Sequence, residues 1–173
     1  MTDFRSSGLA LILASVPGVA GHLIRFIWVV FILVTVANAL TWWRRGRDHI
    51  ARNPALRQGY KRLVFGFILW GNVPWVVMGL GLMVGGVSSP FDYCEPQSAN
   101  PWVLAWYGTV VCLWALALWW IFAGGGARAI VDHPGLINIR LSKAWHVKLL
   151  ACVQTLAGIV AMALAFHRDM PVP

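Results

Sequence analysis

Acidic residues are scarce in this chain, and none falls inside its long apolar runs. There are six, Asp3, Asp48, Asp92, Glu95, Asp132 and Asp169, against fourteen Lys and Arg. Intramembrane carboxylates and histidines are the usual parts of proton relays and ion-coupled carriers. Their absence tells against proton- or sodium-coupled transport and leaves room for a passive pore or a site built from backbone carbonyls. Histidine is also missing from the middle of the apolar runs, with His22 and His167 near one end and His49, His133 and His146 near the other. That tells against transmembrane haem ligation. There is no Cys-x-x-Cys: Cys112 and Cys152 lie within apolar runs and Cys94 stands alone in a loop. A membrane thiol oxidoreductase needs two exchanging thiols, so that class is set aside. No Gly-x-Ser-x-Gly, Walker lysine loop or His-Glu-x-x-His occurs, which removes the common hydrolase, nucleotide and zinc-protease signatures. No cofactor is expected.

Charge of any kind is thin. Only 12% of residues are charged, 59% are hydrophobic and the mean hydropathy is +0.68, where a soluble domain is nearer a quarter charged and half apolar. The 173 residues allow one membrane domain over 1–173 and no second domain. Apolar runs near 24–43, 63–86, 102–123 and 149–166 each approach the roughly 20 residues that cross a hydrocarbon core. The expected fold is therefore all-α, an integral membrane bundle of four transmembrane helices.

Two further elements are expected. Residues 8–20 form an apolar helix or half-helix too short to span alone, set off by Pro17-Gly18. Arg5, Gly8–Val16 and Gly18-Val19-Ala20 also imitate a signal peptide, but the segment reads as retained. A fifth span there is the alternative. The second element is an amphipathic stretch at 136–147, where Leu136, Ile137, Ile139, Leu141, Trp145 and Val147 mix with Arg140, Lys143 and His146. It has the pattern of a segment lying on a membrane surface.

Eleven of the fourteen cations gather in two loops, at 44–62 and 126–148, while residues 87–101 carry none. That is the positive-inside pattern. It places both basic loops in the cytoplasm and both termini outside, in a bacterial-type inner (plasma) membrane. Arg44, Arg45, Arg47, Lys61, Arg62, Arg140 and Lys143 are the expected contacts with anionic lipid headgroups, and nucleic acid is not an expected partner. Tryptophans at 42, 43, 102, 106, 119 and 120 mark the interfaces. Arg25, just inside the first span, is expected to snorkel.

The sharpest local feature is Trp70-Gly71-Asn72-Val73-Pro74-Trp75. Pro74 removes a helical N–H and frees the Trp70 carbonyl. We expect a bend there, with Asn72 as a substitute donor facing protein or a wet cavity, not lipid, alongside Gly79 and Gly86. Gly81 and Gly85 make a GxxxG spacing. Asn38 and Gln154 lie at similar depth, about 7.5 Å from the same interface at 1.5 Å per residue, and amides in apolar surroundings seek one another, so these two are expected to meet. Asn72, Pro74, Asn38 and Gln154 are thus the candidate pore or hinge residues. Ala157, Ala161 and Ala165 beside Gly158 form a small-residue stripe open to a neighbouring helix. His49, His133 and His146 could converge, but their spacing fits no zinc pattern, and no metal is expected.

Scattered titratable groups argue against an enzyme. The reading is a non-catalytic polytopic protein, foremost an oligomeric channel or facilitator, with an accessory subunit of a larger membrane complex as the alternative and an inner-face histidine enzyme behind both. The orientation has a direct check. An impermeant maleimide should label Cys94 in intact cells; labelling only after the inner membrane is opened overturns the assignment.

Overall fold

The computed structural model describes residues 24–136 and 142–167. The N-terminal segment at 8–20 and residues 137–141 of the amphipathic stretch, Arg140 among them, lie outside the described residues. The described chain is helical. Helix α1 is Ile27–Arg52, α2 Arg57–Met83, α3 Pro101–Phe122, α4 Gly126–Asp132 and α5 Ala144–His167. Four of these are long and apolar enough to cross a membrane.

The helix ends follow from local chemistry. No proline interrupts 27–52, so α1 continues nine residues past the expected span and takes Arg44, Arg45 and Arg47 into its final turns. It stops at Asn53, whose extended backbone (φ −141°) satisfies the Pro54 that follows. The Asn53 side chain accepts a bond from the Ala55 N–H at 3.2 Å, capping a single 3-10 turn at Pro54–Leu56. α2 then starts six residues before the expected span, and the loop expected at 44–62 is mostly helix. At its far end α2 stops at Met83, not Gly86. Gly86 adopts φ +71°, a conformation that glycine takes without a Cβ penalty. That turn brings the Val87 N–H to the Gly81 carbonyl at 3.1 Å. The expected face of Asn72, Gly79 and Gly86 is broken there, because Gly86 has left the helix. Trp145 and Val147, expected on a surface segment, belong instead to α5, whose start at Ala144 follows from the absence of any Gly or Pro between Ser142 and Gly158.

Consecutive long helices run antiparallel. The basic connections therefore sit at one end and the 84–100 connection at the other; we call these the basic end and the cap end. α1 pairs chiefly with α2, α2 with α3, and α5 with α3 and α4. In the α1–α2 pair, a Cβ on Gly79 would fall 2.6 Å from the Trp28 ring and one on Gly46 would fall 2.7 Å from the Tyr60 ring. Phe31 stacks on Trp75 at 4.2 Å between ring centroids, and Trp42 lies on Phe67 at 4.1 Å. Rings seated on glycines let the two backbones approach closely.

A core cluster of buried residues sits at the cap end: Met78, Leu82, Val87, Tyr93, Val103 and Tyr107, flanked by Trp28, Trp102, Trp106 and Met162. The cap is two short 3-10 turns, Pro90–Cys94 and Pro96–Ser98. Ser89 and Asp92 form a reciprocal capping box that starts the first. Tyr93 enters the core, where its hydroxyl donates to the Met78 carbonyl at 3.1 Å, and Tyr107 donates to the Tyr93 carbonyl at 2.8 Å. Gln97 donates to the carbonyls of Ala165 and Phe166 at 3.1 and 2.8 Å, tying α5 to the cap. Arg25 does not simply reach for solvent. It donates to the Leu82 carbonyl at 3.0 Å, one of the orphan carbonyls at a helix C-terminus that favour a cation.

Burial, with the Asp92 carboxylate next in strength, pushes the Tyr93 phenol up to about 12. An unfolded tyrosine titrates near 10. The folded state thus holds a proton the unfolded state has released, and stability present below pH about 10 is lost as pH rises toward about 12. Thermal unfolding in detergent should show this alkaline loss, and Tyr93→Phe should shrink it. Gly81→Val should lower stability by roughly 1–3 kcal/mol through overpacking, since a Cβ there meets the Tyr93 hydroxyl and lies 3.0 Å from the Trp102 Cβ. An unchanged melting temperature for that variant contradicts the packing described.

Candidate functional site

Three places carry chemistry: the amides on the long helices, the basic end, and a cleft between α2 and α3.

α2 runs unbroken through Pro74. The expected substitute bond to the Trp70 carbonyl is not made. Asn72 instead donates through Nδ2 to the Ile68 carbonyl at 2.7 Å, within its own helix. This is the back-bond to the i−4 carbonyl that short polar side chains make within a helix, and Thr35, Thr41 and Thr109 make it too. Asn72 is half-buried, and its Oδ1 is buried without a hydrogen-bond partner among the described residues. Pro74 is also half-buried. Asn38 and Gln154 are not brought together. Both are exposed, on helices that pair with different neighbours, and no hydrogen bond joins them. Equal depth proved insufficient because azimuth matters as much: Asn38 sits on the shoulder of α1 away from the Thr35–Ala39–Gly46 face that meets α2. Of the small stripe on α5, Gly158 receives the Trp114 ring, 2.5 Å from a notional Cβ. Ala157 and Ala161 remain exposed.

At the basic end, the turn Asp132-His133-Pro134-Gly135 docks on the α1–α2 hairpin. Tyr60, fully buried, donates its hydroxyl to the Pro134 carbonyl. His133 packs edge-on against the Tyr60 ring at 4.9 Å and lies directly over Gly59. Its Nδ1 lies 2.7 Å from the Ala129 carbonyl. Gly135 (φ +88°) brings the turn beside Arg45, and Leu136 is buried behind it. His133 is thus a packing residue of a latch. His49 and His146 do not join it, and no group of three or more His, Cys, Asp or Glu is poised for a metal among the described residues. Tyr60, Gly46 and Gly59 were not singled out from sequence. The only signal was an aromatic residue and two glycines inside an otherwise basic stretch. Arg44, Arg45, Arg47, Lys61, Arg62 and Lys143 are all exposed at this end.

The cleft follows from the helix geometry. α2 and α3 touch closely at the cap end, where Trp102 lies over Gly85 and against Gly81. Toward the basic end they leave a cavity of about 650 Å³, lined by Trp42 of α1, residues of α2 from Arg62 to Gly71, residues of α3 from Leu113 to Trp120, Ile130 and Leu136. Among the described residues, Arg62 is the one charged residue in that lining. Trp70 and Trp119 stay largely exposed beside the opening. Comparison with family models, curated proteins and solved structures finds no match to this chain.

The latch makes a specific claim. Gly59→Leu should expel His133 and free the 132–136 turn, giving new proteolytic cleavage near it. Tyr60→Phe should keep the fold and cost about 1 kcal/mol, the typical worth of one hydrogen bond, by thermal unfolding in detergent.

Proposed function

We propose that the chain is a non-catalytic, multi-pass protein of the bacterial inner membrane that works as one subunit of an assembly, with a passive channel or facilitator path formed between protomers. The basic end faces the cytoplasm, where Arg44, Arg47, Lys61 and Lys143 meet anionic headgroups, and both termini face outward. The observation that carries the reading is the exposure of Asn38 and Gln154 on two helices long and apolar enough to cross a membrane. An amide left bare in hydrocarbon costs several kcal/mol. A second protein surface, or water along a path between subunits, removes that cost. Asn72, whose Oδ1 is buried without a partner among the described residues, and Pro74, which leaves the Trp70 carbonyl without its helical N–H, mark the point on α2 where such a path would be gated.

A second reading draws on α5. Leu149, Val153, Leu156, Val160 and Leu164 are exposed along it, with Ala157 and Ala161 beside them. A surface of that shape also suits docking as an accessory subunit on a larger complex.

Purification in mild detergent with mass measurement tests both. A closed homo-oligomer that dissociates in the Asn38→Leu, Gln154→Leu double variant supports the channel. A stoichiometric larger partner supports the accessory subunit. A monomer unaffected by the double variant defeats both.

A further inference from the structure

We propose that the α2–α3 cleft is a binding site for one anionic phospholipid, with an acyl chain between the helices and the headgroup phosphate on Arg62. The inference rests on the membrane-spanning reading and is independent of whether the chain assembles.

The size is the first argument. At about 650 Å³ the cavity falls within the roughly 300–1,000 Å³ of small-ligand sites. Its length is the second. From Arg62 to Gly71 the α2 wall rises about 13.5 Å at 1.5 Å per residue, close to half of the roughly 30 Å hydrocarbon thickness. The cleft therefore matches one leaflet. A partner transmembrane helix needs the whole thickness, and here the way is closed at the cap end, where Trp102 fills the space over Gly85. The chemistry is the third. Trp42, Phe67, Trp70, Leu113, Leu116 and Trp120 give apolar walls, and an apolar cavity stays dry and takes apolar ligands. Arg62 stands at the basic-end mouth with no hydrogen bond or ion pair among the described residues. A guanidinium is suited to bidentate recognition of phosphate. One charge at headgroup level, above an apolar slot one leaflet deep, is the outline of a phospholipid.

Gly66 gives a clean way to block the slot. It lines the cleft, and a Cβ on it meets nothing within 4 Å, so Gly66→Leu fills the space without disturbing the helix packing. The full-length protein is delipidated in detergent, titrated with phosphatidylglycerol and examined by native mass spectrometry, with phosphatidylcholine in parallel. One phosphatidylglycerol per chain should be retained in preference to phosphatidylcholine. Arg62→Gln should weaken retention about tenfold, the size of one charge-assisted hydrogen bond, and Gly66→Leu at least as much, both with unchanged melting temperature. Arg57→Gln, an exposed cation on the same helix outside the cleft, should change it by less than about twofold.

Several results overturn the proposal. Equal loss in Arg57→Gln and Arg62→Gln means general headgroup attraction. Full retention in Gly66→Leu means that no chain enters the cleft. Competition by glycerol phosphate at the lipid's own concentration means that the headgroup alone is read. Absence of retained lipid in the wild type means that the cleft has another occupant, such as the chain's own N-terminal segment. The same spectra report assembly separately: a monomer holding one phosphatidylglycerol through Arg62 and Gly66 keeps the lipid site and defeats the subunit reading.

Discussion

The organisation of this protein depends on Tyr93 crossing over Gly81. The ring comes from the connection between α2 and α3, drops into the core of the cap end, and donates to the Met78 carbonyl. Its own carbonyl accepts from Tyr107 of α3. One residue therefore joins α2, the cap and α3 through two buried hydrogen bonds, in surroundings where an unpaired polar group is costly. Gly81 is the spacing that lets the ring in. With the two helices pinned at that end, their divergence toward the other end creates the cleft. The slot lined by Arg62, Trp70 and Trp120 is the geometric consequence of a tight joint about 15 Å away, on the helical rise from Gly71 to Gly81.

The same device recurs along the hairpin and at the basic end, always as an aromatic ring on a glycine: Trp28 on Gly79, Tyr60 on Gly46, His133 on Gly59, Trp114 on Gly158, Trp120 on Gly126. Apolar association within a bilayer gains little from the hydrophobic effect, and close packing must supply the difference. Large flat rings against bare backbone give many contacts per residue. This accounts for the tryptophan content better than interfacial anchoring alone, since Trp28, Trp102 and Trp114 all serve as such lids.

Much of this architecture was legible in the residues. Four helices follow from apolar length, and their antiparallel order follows from charge placement in the loops. Their ends were less so, because Arg, Lys and Gln continue a helix as readily as Leu does; the stretch 44–52 looked like a loop and is helical. The GxxxG pair at Gly81 and Gly85 was visible, but not that it receives Tyr93 and Trp102 rather than a second helix. The pairing expected for Asn38 and Gln154 failed because sequence gives depth along a helix and not rotation about it. The cleft was not legible at all. It needs the angle between two helices, which is set by side chains far from Arg62 along the chain.

The bond from Arg25 to the Leu82 carbonyl has a bearing on biogenesis. It closes the α1–α2 hairpin at the end opposite the Asn53-Pro54 turn, so both ends of the pair are fastened by residues between 25 and 82. Nothing in that closure waits for α3. Neighbouring elements with short connections order early, and chains made from the N-terminus settle their leading parts first. The hairpin can therefore be complete while the cap is still being synthesised. A hairpin formed in that way already holds the groove at Gly81 that Tyr93 occupies. The cap is what joins α3 to it, through Tyr93 and Tyr107, and Gln97 joins α5 to the cap.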